Sequence, residues 1–110
     1  MKVLTIPKVK QYLNDLITIL YEKGYFSYED MAKKYVDELL DDIVTKLPVK
    51  LKKPAPEFFI ERYGKGLYYA VFPKNKHTSW YVFFRIYRSN DEIIYQVRFI
   101  ANNHTVAQHL

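Results

Sequence analysis

After Pro48 the spacing of apolar residues changes from about 3.6 to 2, dividing the chain into a helical part and a sheet part. Before that point Val9, Leu13, Leu16, Ile17 and Leu20 mark one face of a helix that starts near Pro7, a residue favoured at the first helical position. Gly24 ends it, because glycine adopts the left-handed conformation that closes a helix, and Lys23 suits the negative end of the helix dipole. Ser27 is the expected N-cap of a second helix, with Asp30 completing an imperfect capping box and Phe26 stapled onto Met31. The run Met31, Tyr35, Val36, Leu39, Leu40, Ile43, Val44 and Leu47 predicts the core face of that helix, which ends before Pro48. About four residues separate the two helices, so they should pack as an antiparallel hairpin over residues 7–47. Asp37, Glu38, Asp41 and Asp42 occupy the opposite face of the second helix and read as a solvated surface.

Residues 48–57, with Pro54 and Pro56, read as an extended basic connector carrying Lys50, Lys52 and Lys53. Four strand-like runs are expected in residues 58–100: Phe58 to Tyr63, Leu67 to Phe72, Trp80 to Arg88 and Ile93 to Ile100. Short polar separators make them a meander, followed by a tail over residues 101–110. The expected fold class is α+β, one domain over residues 1–110, with the helical hairpin packed on an antiparallel sheet of about four strands. Alternation places Trp80, Val82, Phe84 and Ile86 on one face of the third run, and Tyr81, Phe83, Arg85 and Tyr87 on the other. The fourth run separates Ile93, Tyr95, Val97 and Phe99 from Ile94, Gln96, Arg98 and Ile100. Arg85 and Arg98 then share a face if a four-residue turn sets the register. One helical hairpin shields one face, so the second is expected to await a partner.

Composition narrows the chemistry. Hydrophobic residues at 49% against 26% charged describe a globular chain, and the absence of Cys excludes disulfides, thiolate metal sites and cysteine nucleophiles. His104 and His109 are five apart, which fits helical metal ligation poorly, and three glycines leave no phosphate-binding glycine loop. The N-terminus is too soon charged for a signal peptide and no apolar run approaches the roughly 18 residues of a membrane span, so a cytoplasmic protein with no membrane partner is expected. Residues 48–110 carry ten basic and four acidic side chains, net +6, whereas residues 1–47 carry seven Lys and eight acids, net −1. A positive surface on the C-terminal half points to a partner rich in phosphate or carboxylate.

The order helix, helix, Pro-broken connector and antiparallel strands ends in Trp80-Tyr-Val-Phe-Phe-Arg-Ile-Tyr-Arg88 and Tyr95-Gln-Val-Arg-Phe-Ile100, followed by a polar tail with His. Over nearly the whole chain this resembles the RelE/ParE superfamily, the toxins of bacterial type II toxin–antitoxin pairs. The resemblance implies a cognate antitoxin as partner and one of two activities: cleavage of mRNA on the ribosome without metal or other cofactor, or poisoning of DNA gyrase. In the RNA-cleaving members basic residues engage phosphate and a His or Tyr near the C-terminus moves protons, roles that Arg85, Arg98 and His104 would fill as catalytic residues here. Lys50, Lys52, Lys53, Lys74, Lys76, Tyr81 and Tyr87 would contact nucleic acid. Tyr81 stands where RNA-cleaving members often carry an Arg, and the connection Pro73 to Ser79 adds Lys74, Lys76 and His77 in a loop. Such cleavage needs a base for the 2′-hydroxyl, an acid for the leaving oxygen and cations for the phosphorane, all residue types the basic half supplies. A non-catalytic RNA- or protein-binding module, with Tyr81, Phe83 and Tyr87 stacking on a partner, is the alternative from the binding class.

Overall fold

Lys2 to Thr5 alternates in side-chain direction and forms strand β1 (Lys2–Thr5), from which Pro7 turns the chain at once into helix α1 (Pro7–Glu22). The computed structural model describes residues 1–110. Gly24, at φ +78°, supplies the left-handed residue that lets the chain reverse into helix α2 (Glu29–Lys46), which packs against α1. The residue before α2 is Tyr28 rather than Ser27, and no side chain caps the helix. Glu29 and Asp30 in the first turn face the positive end of the dipole instead. Phe26 packs on Tyr35, ring centres 5.4 Å apart, rather than on Met31, which is exposed along with Val44. Ala32, Val36, Leu39 and Ile43 form the buried stripe.

After a 3-10 turn at Leu47–Val49, the connector contributes a two-residue strand, β2 (Lys53–Pro54), and then departs from its sequence reading. The run from Phe58 to Tyr63 is not a strand but most of helix α3 (Glu57–Tyr63). Pro56 precedes it, Glu57 opens the first turn, Arg62 sits in the last, and Gly64 at φ +113° follows. Helical geometry lets Phe59 project onto the sheet and stack on Phe83, ring centres 4.3 Å apart. This contact decides the conformation of a short apolar run whose local preference is ambiguous.

Strands β3 (Leu67–Pro73), β4 (Ser79–Ser89) and β5 (Glu92–Asn102) complete a five-stranded sheet in the order β1-β5-β4-β3-β2, followed by helix α4 (Asn103–Val106). The sheet is mixed, not purely antiparallel, because β1 lies parallel to β5 with Val3 opposite Tyr95. Ser89 pairs with Glu92, so the β4–β5 turn has two residues, Asn90 and Asp91, at φ +50° and +64°. Positive φ at both positions matches the twist of the flanking strands, and Asn and Asp tolerate it better than other side chains. Along the same pair Phe83 opposes Phe99 while Phe84 opposes Val97, which leaves Arg98 as the extra residue of a β-bulge. Beyond it the alternation of β5 is reset: Val97 and Ile100 pack towards the helical hairpin, and Phe99 and Ala101 towards α3.

Two apolar layers result. Leu13, Leu16, Leu39 and Ile43 meet Val82, Phe84, Val97 and Ile100 on one side of the sheet. On the other, the face expected to lie open is covered by the chain itself: Ala55, Phe59 and Val106 pack on Leu67, Phe83 and Ala101. No helix is long and apolar enough to cross a membrane.

Phe59 is 1% exposed and joins α3 to the second face. Truncation to Ala should cost about 3–5 kcal/mol, seen as a lowered urea midpoint. A loss under about 1 kcal/mol would mean that α3 does not close this layer.

Candidate functional site

Arg85 and Arg98 meet at the turn that joins α3 to β3. On β4 Arg85 points to the same face as Phe83 and is exposed; Gly66 lies beside it, 3.8 Å separating the Arg85 Nε from the point a Cβ would occupy. Arg98, held out of regular alternation by the bulge, donates from Nη1 to the Tyr63 carbonyl at 2.8 Å and from Nε to Gln96 Oε1 at 2.9 Å. Its Nη1 passes 2.5 Å from where a Cβ on Gly64 would stand, and the backbone there, at φ +113°, is one that favours glycine. Gly64-Lys65-Gly66 thus carries an exposed Lys between two guanidinium groups. Lys65 belongs to the basic cluster although its sequence context reads only as a turn.

Aromatic rings frame this cluster. Tyr63 stacks on Phe99 at 4.5 Å, and Phe58 is held between the Arg62 guanidinium, 3.6 Å from its ring centre, and the His109 ring, 3.5 Å away and within 6° of parallel. Two groups so close to one ring centre must lie on opposite faces of it, so the last residues of the chain are pinned onto α3. His109, rather than His104, is therefore the histidine on the side of the sheet that carries the arginines.

His104 goes elsewhere. Asn102 caps α4 by accepting from the His104 amide at 3.0 Å, and His104 lines a groove of about 560 Å³ on the helical-hairpin side, with Trp80, Tyr12 and Tyr35. Trp80 is paired with Asn102 and Arg85 with Gln96, so the two regions also lie some five residues apart along β4, about 17 Å. The three residues expected to act together, His104, Arg85 and Arg98, are thus split into a pair and an outlier.

The remaining basic candidates are spread around the sheet edge. Lys50 Nζ lies 4.7 Å over the Phe72 ring and Lys52 Nζ 5.6 Å over Tyr68, both on the hairpin side. Lys53, together with Lys50, lines a cleft of about 600 Å³ that Tyr69, Val71, Tyr81 and Leu110 share on the other side. Lys74 Nζ sits 5.1 Å over Tyr35, and Lys76 is exposed in the loop that Asn75 closes by accepting from the His77 and Thr78 amides. Asn103 ties that loop to α4, accepting from Ser79 N and donating to the His77 carbonyl. Tyr81 faces Tyr69 at 5.9 Å, and Tyr87 is exposed towards the β4–β5 turn. Burial pushes the Tyr12 phenol above its ordinary pKa, and does the same for Tyr63 against the opposing pull of the Arg62 charge.

Fold and site together define an α+β protein with a basic, aromatic-framed cluster on one face of a mixed sheet. Comparison with models of protein families, with curated proteins and with solved structures finds no match to the chain.

Removing Arg98 breaks two charge-assisted hydrogen bonds, so Arg98→Ala should lower stability by about 1.5–3 kcal/mol, whereas Arg85→Ala should stay within about 0.5 kcal/mol of the parent in urea unfolding. Equal losses would contradict the division of roles. A pH effect follows from the raised phenols: the unfolded chain ionises its tyrosines first as pH rises past about 10, while folded Tyr12 and Tyr63 keep their protons. Their stabilisation is fully present below the unfolded value and is lost as pH rises through the folded one. Tyr12→Phe should therefore flatten the decline of the urea midpoint above that pH, and an unchanged slope would speak against burial as the cause.

Proposed function

We infer that the chain is the toxin of a type II toxin–antitoxin pair, acting as a metal-independent, ribosome-dependent mRNA endonuclease. The observation that carries this reading is the convergence of Arg85, Arg98 and Lys65 on one turn, in the half of the chain with net charge +6. Guanidinium groups bind phosphate oxygens through paired hydrogen bonds, and Arg98, already oriented by the Tyr63 carbonyl, loses little freedom in doing so. Arg85 supplies a free guanidinium beside it. The succession of two helices, a Pro-broken connector and a closing β4–β5 hairpin supports the same reading, as does the compatibility of this chemistry with a chain that has no thiol. The proton-transfer role is assigned to His109 rather than His104 because His109, stacked on Phe58, lies on the side of the sheet that carries the arginines. The partner is a cognate antitoxin whose acidic side chains neutralise the Arg85 and Arg98 face; the lysines at the sheet edge extend that surface.

Induced expression without an antitoxin should arrest growth, and mapped transcript ends should show cuts in translated mRNA. Arg85→Ala should relieve the arrest at unchanged fold, and His109→Ala should slow cleavage more than His104→Ala. Unimpaired growth in cells holding folded protein would reject the toxin reading; DNA breaks in place of transcript cuts would transfer it to gyrase poisoning.

A further inference from the structure

The groove over Trp80 lies between two parts of the chain: α1 and its turn into α2 on one side, the loop of Lys74 to Thr78 and the start of α4 on the other. Its volume of about 560 Å³ falls within the range of small-molecule sites. Buried Trp80 and Leu16 form the floor, and Tyr12, Tyr25, Phe26 and Tyr35 the walls. The lining includes Lys23 and His104 but no carboxylate, and Lys74 stands over the Tyr35 ring.

The polar groups of the lining are left mainly as donors. Tyr35 Oη accepts from Trp80 Nε1 at 2.9 Å, so its own proton turns away from the indole. Asn75 Oδ1 is taken by two amides and Asn102 Oδ1 by the His104 amide, which leaves both side-chain NH₂ groups as donors. Tyr12, its ionisation opposed by burial, stays a donor. Flat aromatic walls, neutral donors and cations call for a guest that is planar, rich in acceptors and anionic. A nucleotide has all three properties: a base that stacks, carbonyl and ring-nitrogen acceptors, and a phosphate.

We propose that this groove binds one nucleotide, its base against the exposed Tyr25 ring and its phosphate towards Lys23, Lys74 and His104. The site lies on the opposite side of the sheet from Arg85 and Arg98, and it stands on the groove alone, independently of the toxin reading. A free nucleotide and one unit of a single-stranded RNA present the same chemistry.

Trp80 is the only tryptophan and forms the floor, so its fluorescence reports occupancy. The full chain is titrated with AMP, GMP, CMP and UMP, with a hexaribonucleotide, and with benzoate as a planar anion lacking base acceptors. The hexamer titration is repeated in Arg85→Ala protein, so that the other face does not contribute. At least one monophosphate should give a saturable change at one per chain, and benzoate should bind at least tenfold more weakly. Tyr25 is 70% exposed and Lys23 is exposed, so Tyr25→Ala and Lys23→Gln should leave circular dichroism and melting unchanged. Each should weaken binding about tenfold, as loss of a stacking ring or a phosphate contact does. A hexamer more than tenfold tighter than any monophosphate, and equally sensitive to Tyr25→Ala, assigns the groove to an RNA strand; equal affinities assign it to a free nucleotide. No saturable binding at millimolar concentration, indifference to both substitutions, or benzoate as tight as a nucleotide would overturn the proposal.

Discussion

Strand β4 carries large apolar side chains on both faces, and Val82, Phe83 and Phe84 are all 0% exposed. A strand of that kind has to be sandwiched, because either face left in water forfeits the burial of several aromatic and branched side chains. The helical hairpin supplies one cover from long, strongly periodic helices. For the other face, α3 has seven residues and α4 four, lengths at which an isolated helix does not persist in water. Their conformation therefore depends on what they cover: Phe59 stacked on Phe83, Val106 buried in the same layer, His109 pinned on Phe58. The basic cluster sits at the end of α3, so its geometry inherits that dependence.

The bulge at Arg98 links this layer to the chemistry. By inserting one residue opposite Phe83 and Phe84, it lets β5 keep Val97 and Ile100 in the hairpin core and Phe99 and Ala101 in the second core. Arg98 is left over, free of the demands of either core, and reaches the C-terminal carbonyl of α3. Its cation thus meets the negative end of a helix dipole and satisfies an acceptor that the helix leaves unpaired. Gly64 completes the arrangement by having no Cβ to obstruct the guanidinium.

Long-period signals in the sequence translated well into structure. The two N-terminal helices and the last three strands follow from periodicity and turn residues alone. Phe58 to Tyr63 did not, because a short run with four apolar or aromatic residues in six suits a strand or a buried helix equally; Pro56, Glu57, Arg62 and Gly64 are the boundary signals that favour a helix. Strand β1 was missed since its parallel pairing with β5 is non-local: nothing within Lys2 to Thr5 announces a partner some ninety residues away. The bulge escaped for a related reason, as strict alternation assumes one residue opposite one. The candidate site was accordingly legible as a pair of arginines, whereas Lys65, the stacked His109 and the displacement of His104 required the short helices to be in place.

Charges of opposite sign occupy different surfaces. On the outer face of α2, Lys33 pairs with Asp37 at 2.6 Å and Lys46 with Asp42 at 3.3 Å, while Asp30, Glu38 and Asp41 add further acids to the solvated surface. The cations of the C-terminal half lie across the sheet and around its edge. The cations are not gathered on one face: Lys50, Lys52 and Lys74 lie over rings on the hairpin side, whereas Arg85, Arg98 and Lys65 gather at the turn after α3, so the net +6 of residues 48–110 is divided between the two sides of the sheet. Within that cluster Arg98 is fixed by the Tyr63 carbonyl and Gln96, so its position depends on α3 and, through α3, on the second core.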